Sequence, residues 1–148
     1  MPFPSRILVA CDFQEVSDSA ITHATSLAKA CGASLVLLHA YQLPIYGFMD
    51  GSYVPTPEEV ERIVNAGRKA LDELAARVAT SGCTVESVLK NGNSAECIVE
   101  TAKEKDCDLI VMGSHGRGLL ARALVGSVAQ NVLRLADRPV LIVRGTSR

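Results

Sequence analysis

Four glycines, two arginines and a histidine crowd into GSHGRGLLARALVGSVAQNV, residues 113–132, directly after the apolar run Leu109-Ile110-Val111-Met112. Glycine at such a point either solves a turning problem or lets a ligand approach the main chain. The spacing is Gly113-x2-Gly116, nine further residues, then Gly126-Ser127. It is not the dinucleotide fingerprint G-x-G-x-x-G, and it is not the loop G-x-x-x-x-G-K-[ST], because Leu119 follows Gly118. Two glycines after a buried strand would open the main chain to a ligand. Gly126-Ser127 would then start a helix whose free amides and positive dipole end favour an anion. Ser127 adds a hydroxyl, and Arg117 or Arg122 could offset phosphate charge. A plain turn followed by a helix cap fits the same spacing, so phosphate binding and simple structure both stand at this point.

Other residues with chemical capacity are scattered. Asp12 follows an apolar run and could contact a sugar hydroxyl or hold a magnesium ion through water. His115 lies close to two glycines, within reach of a phosphate, whereas packing or solvent exposure accounts for His23 and His39. The five cysteines, Cys11, Cys31, Cys83, Cys97 and Cys107, have no C-x-x-C spacing, which supports neither a disulfide framework nor a zinc site. A thiol at Cys11, beside an anion site, would have a lowered pKa if reactive; a buried structural thiol is the alternative, and the one we expect.

The elements that would position these residues follow from periodicity. Ile7–Cys11, Leu35–Leu38, Thr84–Leu89, Leu109–Met112 and Pro139–Val143 read as strands, the third more polar and at an edge. A helix capped by Ser17 carries Ala20, Ile21, Ala24, Leu27, Ala28 and Cys31 on one face and stops at Gly32. Thr56-Pro57-Glu58-Glu59 is a capping box for a long helix with a stripe from Val60 to Val78, ending near Ser81-Gly82. Asn91-Gly92 reads as a turn before a helix from Ser94, and a last helix spans 127–136. Between them, residues 42–56 form a long connection rich in Pro, Gly and aromatics, suited to a lid. Buried strands alternating with helices predict an α/β fold: one domain over residues 1–148, a doubly wound parallel sheet with helices on both faces. Ligands in such sheets bind beyond the carboxyl ends of the strands, where strand order reverses. Asp12 and Gly113 would meet there.

Composition bounds the remainder. At 148 residues with 48% hydrophobic and 21% charged residues, the chain fits an ordinary globular domain. No apolar run reaches membrane-span length, and Met1-Pro-Phe-Pro-Ser lacks a signal-peptide pattern, so the cytoplasm is the expected location. Residues 1–112 hold nine Lys/Arg against fifteen Asp/Glu, and residues 113–148 hold six arginines against Asp137. A net charge of −1 argues against broad nucleic-acid binding.

With these residues in view, VMGSHGRG, VGSVAQNVL and RPVLIVR resemble the signature G-2x-G-9x-G-[ST] and terminal strand of the universal stress protein family. ILVACDFQEVSDSAITHATSLA and LVLLHA are similar to its opening strand, aspartate, first helix and second strand, so the resemblance covers essentially the whole chain. It implies a five-stranded parallel sheet in the order 3-2-1-4-5, and ATP as ligand. By that resemblance, Gly113, Gly116, Gly126, Ser127 and the backbone of Val128 would cradle phosphates and ribose. Asp12 would lie near ribose or adenine, and Ala40 and Met112 would line the base and sugar pocket; Ala10, at the end of the first strand, and Arg117, by its charge beside the glycines, complete the expected nucleotide-binding set. The family's usual homodimer implies pairing through the strand Val140–Val143, itself a short apolar edge. Phe13-Gln14 departs from the Gly-Ser or Phe-Ser common after the family's aspartate.

Three functions follow as expectations. The first is an ATP-binding stress-response regulator, a nucleotide-dependent sensor with at most slow hydrolysis, because no second carboxylate accompanies the glycine segment. The second is an ATP-using enzyme in the same crevice; CDFQEVSDS lacks the S-G-G-x-D-S loop of related adenylating folds. The third is a protein-interaction scaffold with no nucleotide, against which the intact glycine spacing speaks.

Overall fold

The computed structural model describes residues 3–13, 15–43, 46–48, 51–114 and 125–145. In chain order its elements are β1 (Arg6–Ala10), α1 (Glu15–Cys31), β2 (Ser34–Tyr41), β3 (Tyr46–Phe48), β4 (Gly51–Tyr53), α2 (Pro57–Ala79), β5 (Val85–Asn91), α3 (Ser94–Glu104), β6 (Leu109–Gly113), α4 (Ser127–Leu135) and β7 (Val140–Val143). Ile7, Leu8 and Val9 are fully buried in succession. A strand apolar on both faces belongs in the middle of a parallel sheet covered on both sides, and β1 is the central strand of five, in the order β5-β2-β1-β6-β7. All four pairings are parallel. With the small hairpin β3-β4 set aside, this is the expected order 3-2-1-4-5. The chain winds outward from β1 through β2 to β5, then returns to lay β6 against β1, so strand order reverses between β1 and β6.

Alternation along the strands divides the core into two layers. Ile7, Val9, Leu35, Leu37 and Val111 pack with Ala20, Ala24 and Ala28 of α1 and with Leu71, Leu74 and Val78 of α2. Leu8, Val36, Leu38, Ile110 and Met112 pack with Ala95, Ile98 and Ala102 of α3 and with Ala129 and Val132 of α4. The helices supply the apolar stripes of α1, α2 and α3, and strand alternation deals the β residues to the two layers.

Local chemistry sets the helix ends. Gly32, at φ +70°, terminates α1, and the Ala33 amide reaches back to the Ala28 carbonyl at 2.9 Å, closing a Schellman motif. The capping box of α2 is complete: the Thr56 amide donates to Glu59 Oε2 at 2.8 Å, and the Glu59 amide donates to Thr56 Oγ1 at 3.2 Å. Asn93 caps α3 by accepting from the Glu96 amide at 3.2 Å. The far end of α3 is closed by arginine, since Arg138 Nη1 donates to the carbonyls of Ala102 and Cys107, both at 2.8 Å, and Arg6 Nη1 donates to Lys105 O at 2.9 Å. A cation at a helix C-terminus suits the dipole.

Three expectations are corrected. Ser17 does not cap α1, which begins two residues earlier; its hydroxyl is turned to the backbone at the end of β1 instead. The long connection 42–56 contains the antiparallel hairpin β3-β4. The third strand of the sheet, β5, runs to Asn91 opposite Tyr41, so only Gly92 turns, at φ +148°. The long helix ends as expected close to Ser81-Gly82, with Thr80 as its C-cap and Gly82 at φ +94°.

Candidate functional site

In a parallel sheet every crossover helix begins at the carboxyl edge of the strands, so helix N-termini converge there. At the reversal between β1 and β6 this leaves a crevice of about 190 Å³. Its floor comes from strand ends: Ala10 of β1 with Asp12 just beyond it, Ala40 of β2, and Met112 and Gly113 of β6. Gly126, Ser127 and Val128, at the start of α4, form one rim. Eight sequence-predicted site residues therefore share one cavity. The other two, Gly116 and Arg117, lie outside the described residues, as do His115, Gly118 and Arg122.

The start of α4 differs from those of α2 and α3. Thr56 and Asn93 cap their own helices with side chains, whereas Gly126, the N-cap of α4, has none. The amides of Ser127, Val128 and Ala129 have no intrahelical carbonyl to bond, and all three residues line the crevice. The Gln130 side chain turns away, its amide donating to the Val125 carbonyl at 2.6 Å. Backbone bonds hold this helix start against β6: Ser114 donates to Val143 O at 2.9 Å, and Gly126 donates to Ser114 O at 2.6 Å. The result is a fixed, uncapped row of donors beside a glycine strand end, an arrangement suited to an anion.

Asp12 is the one carboxylate among the described lining residues, and no cationic side chain lines the crevice among them. Cys11 also lines it, but its thiol is pushed up to about 12 by burial, reinforced by the negative charge of Asp12. It is the structural thiol that the sequence reading expected, not a nucleophile. Among the described residues no group of three or more His, Cys, Asp or Glu is assembled that could hold a metal ion. No described helix is long and apolar enough to cross a membrane. His23 is exposed, with Nδ1–H donating to Ser19 O at 2.9 Å. Arg138 is committed to the opposite end of the sheet, and Arg134 to Asn131 at 2.8 Å.

Sequence reasoning missed several lining residues. Ser17, Ser94 and Ser114 bring hydroxyls, and Leu38, Ile98 and Ala129 bring apolar surface. Ser94 opens α3, and that was the available signal: in a doubly wound sheet, α3 must start at the same edge as α4.

The universal stress protein family model matches residues 4–144. Universal stress protein YxiE of Bacillus subtilis is 35% identical over 146 residues, covering 95% of this chain and 99% of that protein. Universal stress protein UspA from Lactobacillus plantarum superposes with a TM-score of 0.77 at 25% identity, over 95% of this chain and 97% of that one. A universal stress protein crystallised in complex with cAMP superposes with a TM-score of 0.71 at 29% identity, over 97% of this chain and 98% of that one. Sheet order, core and match along nearly its whole length agree: the chain belongs to the universal stress protein family.

Proposed function

We propose that this chain binds ATP in the β1–β6 crevice and acts as a nucleotide-dependent regulatory module of the stress response. The observation that carries the reading is the uncapped first turn of α4, facing a crevice that also holds Asp12, Ala40 and Gly113. Base and sugar lie against Ala10, Ala40 and Met112, with Asp12 placed for a ribose hydroxyl. Phosphates meet Gly113 and the amides of Ser127 and Val128, with Gly116 and Arg117 joining them. A magnesium ion would travel with the phosphates. The relative crystallised with cAMP supports an adenine nucleotide as the class of ligand.

The module works in the cytoplasm as a single domain, without nucleic acid or membrane. It pairs as a homodimer through β7, whose Val140–Val143 forms a sheet edge with Leu141 39% exposed. Its signalling partner reads the bound state. Mass spectrometry of ligand released from freshly purified protein tests the assignment, together with ATP titration of the wild type and of Gly126→Val. Wild-type affinity in a folded Gly126→Val protein would refute the site.

A further inference from the structure

His39 stands behind the crevice wall. Its neighbours Leu38 and Ala40 line the crevice, and strand alternation turns His39 to the other face. There α2 passes closely: a Cβ on Gly67 would lie 3.7 Å from His39 Cδ2. The ring has a definite task at this place. Nδ1–H donates to the Cys11 carbonyl at 2.7 Å.

That carbonyl belongs to the same peptide unit as the Asp12 amide, which donates to Ser17 Oγ at 3.2 Å. A peptide unit is a rigid plane. Held at its oxygen by His39 and at its N–H by Ser17, it cannot rotate between Cys11 and Asp12. The Cys11 amide is fixed as well, donating to Leu38 O at 2.8 Å. On the other side of Asp12, Phe13 takes φ +61°, a left-handed conformation that bulky residues rarely adopt. Its ring packs on His39, with centroids 4.6 Å apart and planes tilted by 48°. One imidazole thus touches the residues on both sides of Asp12.

We propose that His39 is a positioning residue for Asp12: through the Cys11 carbonyl and the Phe13 ring it sets the direction in which Asp12 meets the nucleotide. The proposal rests on the ATP reading above. It requires the neutral ring to carry its proton on Nδ1, the less common form of a free imidazole, because a carbonyl only accepts.

The test combines ¹⁵N NMR of the histidine rings at pH 9, amide exchange at Asp12, and ATP titration of wild type, His39→Leu and His39→Asn, with melting curves throughout. Asparagine keeps a donor close to the position of Nδ1; leucine keeps only bulk. The expected result is an Nδ1–H tautomer, an affinity about tenfold weaker in His39→Leu with faster Asp12 exchange, and, in His39→Asn, which restores the donor to the carbonyl but not the ring, recovery of slow Asp12 exchange with part of the lost affinity. An Nε2–H tautomer, wild-type affinity in His39→Leu, or no recovery in His39→Asn would each overturn the proposal. Should His39→Leu not fold, Phe13→Gly replaces it, since it removes the ring contact while relieving the left-handed backbone. A smaller loss of affinity is then expected, because the bond to the Cys11 carbonyl remains, and wild-type affinity refutes it. A wild type that binds no ATP defeats the functional reading instead. In that case Asp12 exchange alone decides whether His39 positions the residue: faster exchange in His39→Leu sustains it, and unchanged exchange refutes it.

Discussion

The Gly126 amide donates to the Ser114 carbonyl at 2.6 Å, joining the first residue after β6 to the cap of α4. The chain leaves the sheet at Ser114 and returns to the same point at Gly126, so both halves of the glycine signature are held by one main-chain bond. Gly126 gives its amide to Ser114, and that amide is not among the donors that α4 leaves open. Its value to the site lies in having no side chain, which leaves the next three amides open.

Gly126→Asp therefore separates stability from binding. At φ −64° and ψ 165° the N-cap is open to any residue, and an aspartate there would accept from the first-turn amides. Stability should rise by about 0.5 kcal/mol, while ATP affinity falls at least about tenfold through loss of donors and like-charge repulsion. Melting curves with and without ATP read both effects. A variant still stabilised by ATP as strongly as the wild type would contradict the role given to α4.

Legibility followed the physics of each residue. Consecutive buried apolar residues such as Ile7-Leu8-Val9 admit one environment, so strand and sheet class were readable, whereas the strand order came only with the family resemblance. Thr56 comes with Pro57 and Glu59, a combination that marks a helix start, and Gly32 directly follows the last residue of an apolar stripe. Ser17 was misread because a short hydroxyl near a helix start serves equally as a cap or as a clamp on a nearby backbone, and tertiary contacts choose. Ile98 reaches the crevice through sheet register and helix placement, which no local pattern encodes, whereas Ser94 could have been found as the start of a helix at the same edge. The hairpin at 46–53 hid in a composition typical of loops.

Gly92→Ala should destabilise the fold. Gly92 takes φ +148°, and an added Cβ would lie 3.1 Å from Cys97 Sγ. Conformation and contact both oppose a side chain, so a loss of about 1–3 kcal/mol is expected in denaturant unfolding. Gly92→Ala with Cys97→Ala should recover the steric part only. A neutral single variant would mean that the turn readily takes another path.

Cys11 should resist alkylation in the folded protein. With its thiol pushed up to about 12 by burial, only about one in ten thousand is thiolate at pH 8. Cys107, pushed up to about 11 by burial, should be slow as well. Iodoacetamide at pH 8, followed by peptide mass spectrometry, should find label first on the half-buried Cys31 and Cys83. Cys11 should react only in denaturant, and rapid native labelling there would refute its structural role.

Asp108 ties the segment before β1 to β6, at the end of the sheet remote from the crevice. Its Oδ2 accepts from the Ser5 amide at 2.6 Å, the Ser5 hydroxyl at 2.8 Å and the Arg6 amide at 2.9 Å. The Ser5 hydroxyl first, then the two amides, hold its carboxyl below the usual range. A folded pKa below the unfolded one means that stability is fully present above the unfolded value, about 3.9, and is lost as pH falls through the folded value. Asp108→Ala should therefore cost about 1–2 kcal/mol at neutral pH, constant between pH 8 and 5. Below about pH 4 the gap from wild type should narrow, as the wild-type carboxyl also becomes neutral. ATP affinity should stay unchanged throughout, because nothing in this anchor touches Asp12 or α4. A gap that persists undiminished at pH 2 would show that the anchor acts through packing rather than through the charged acceptor.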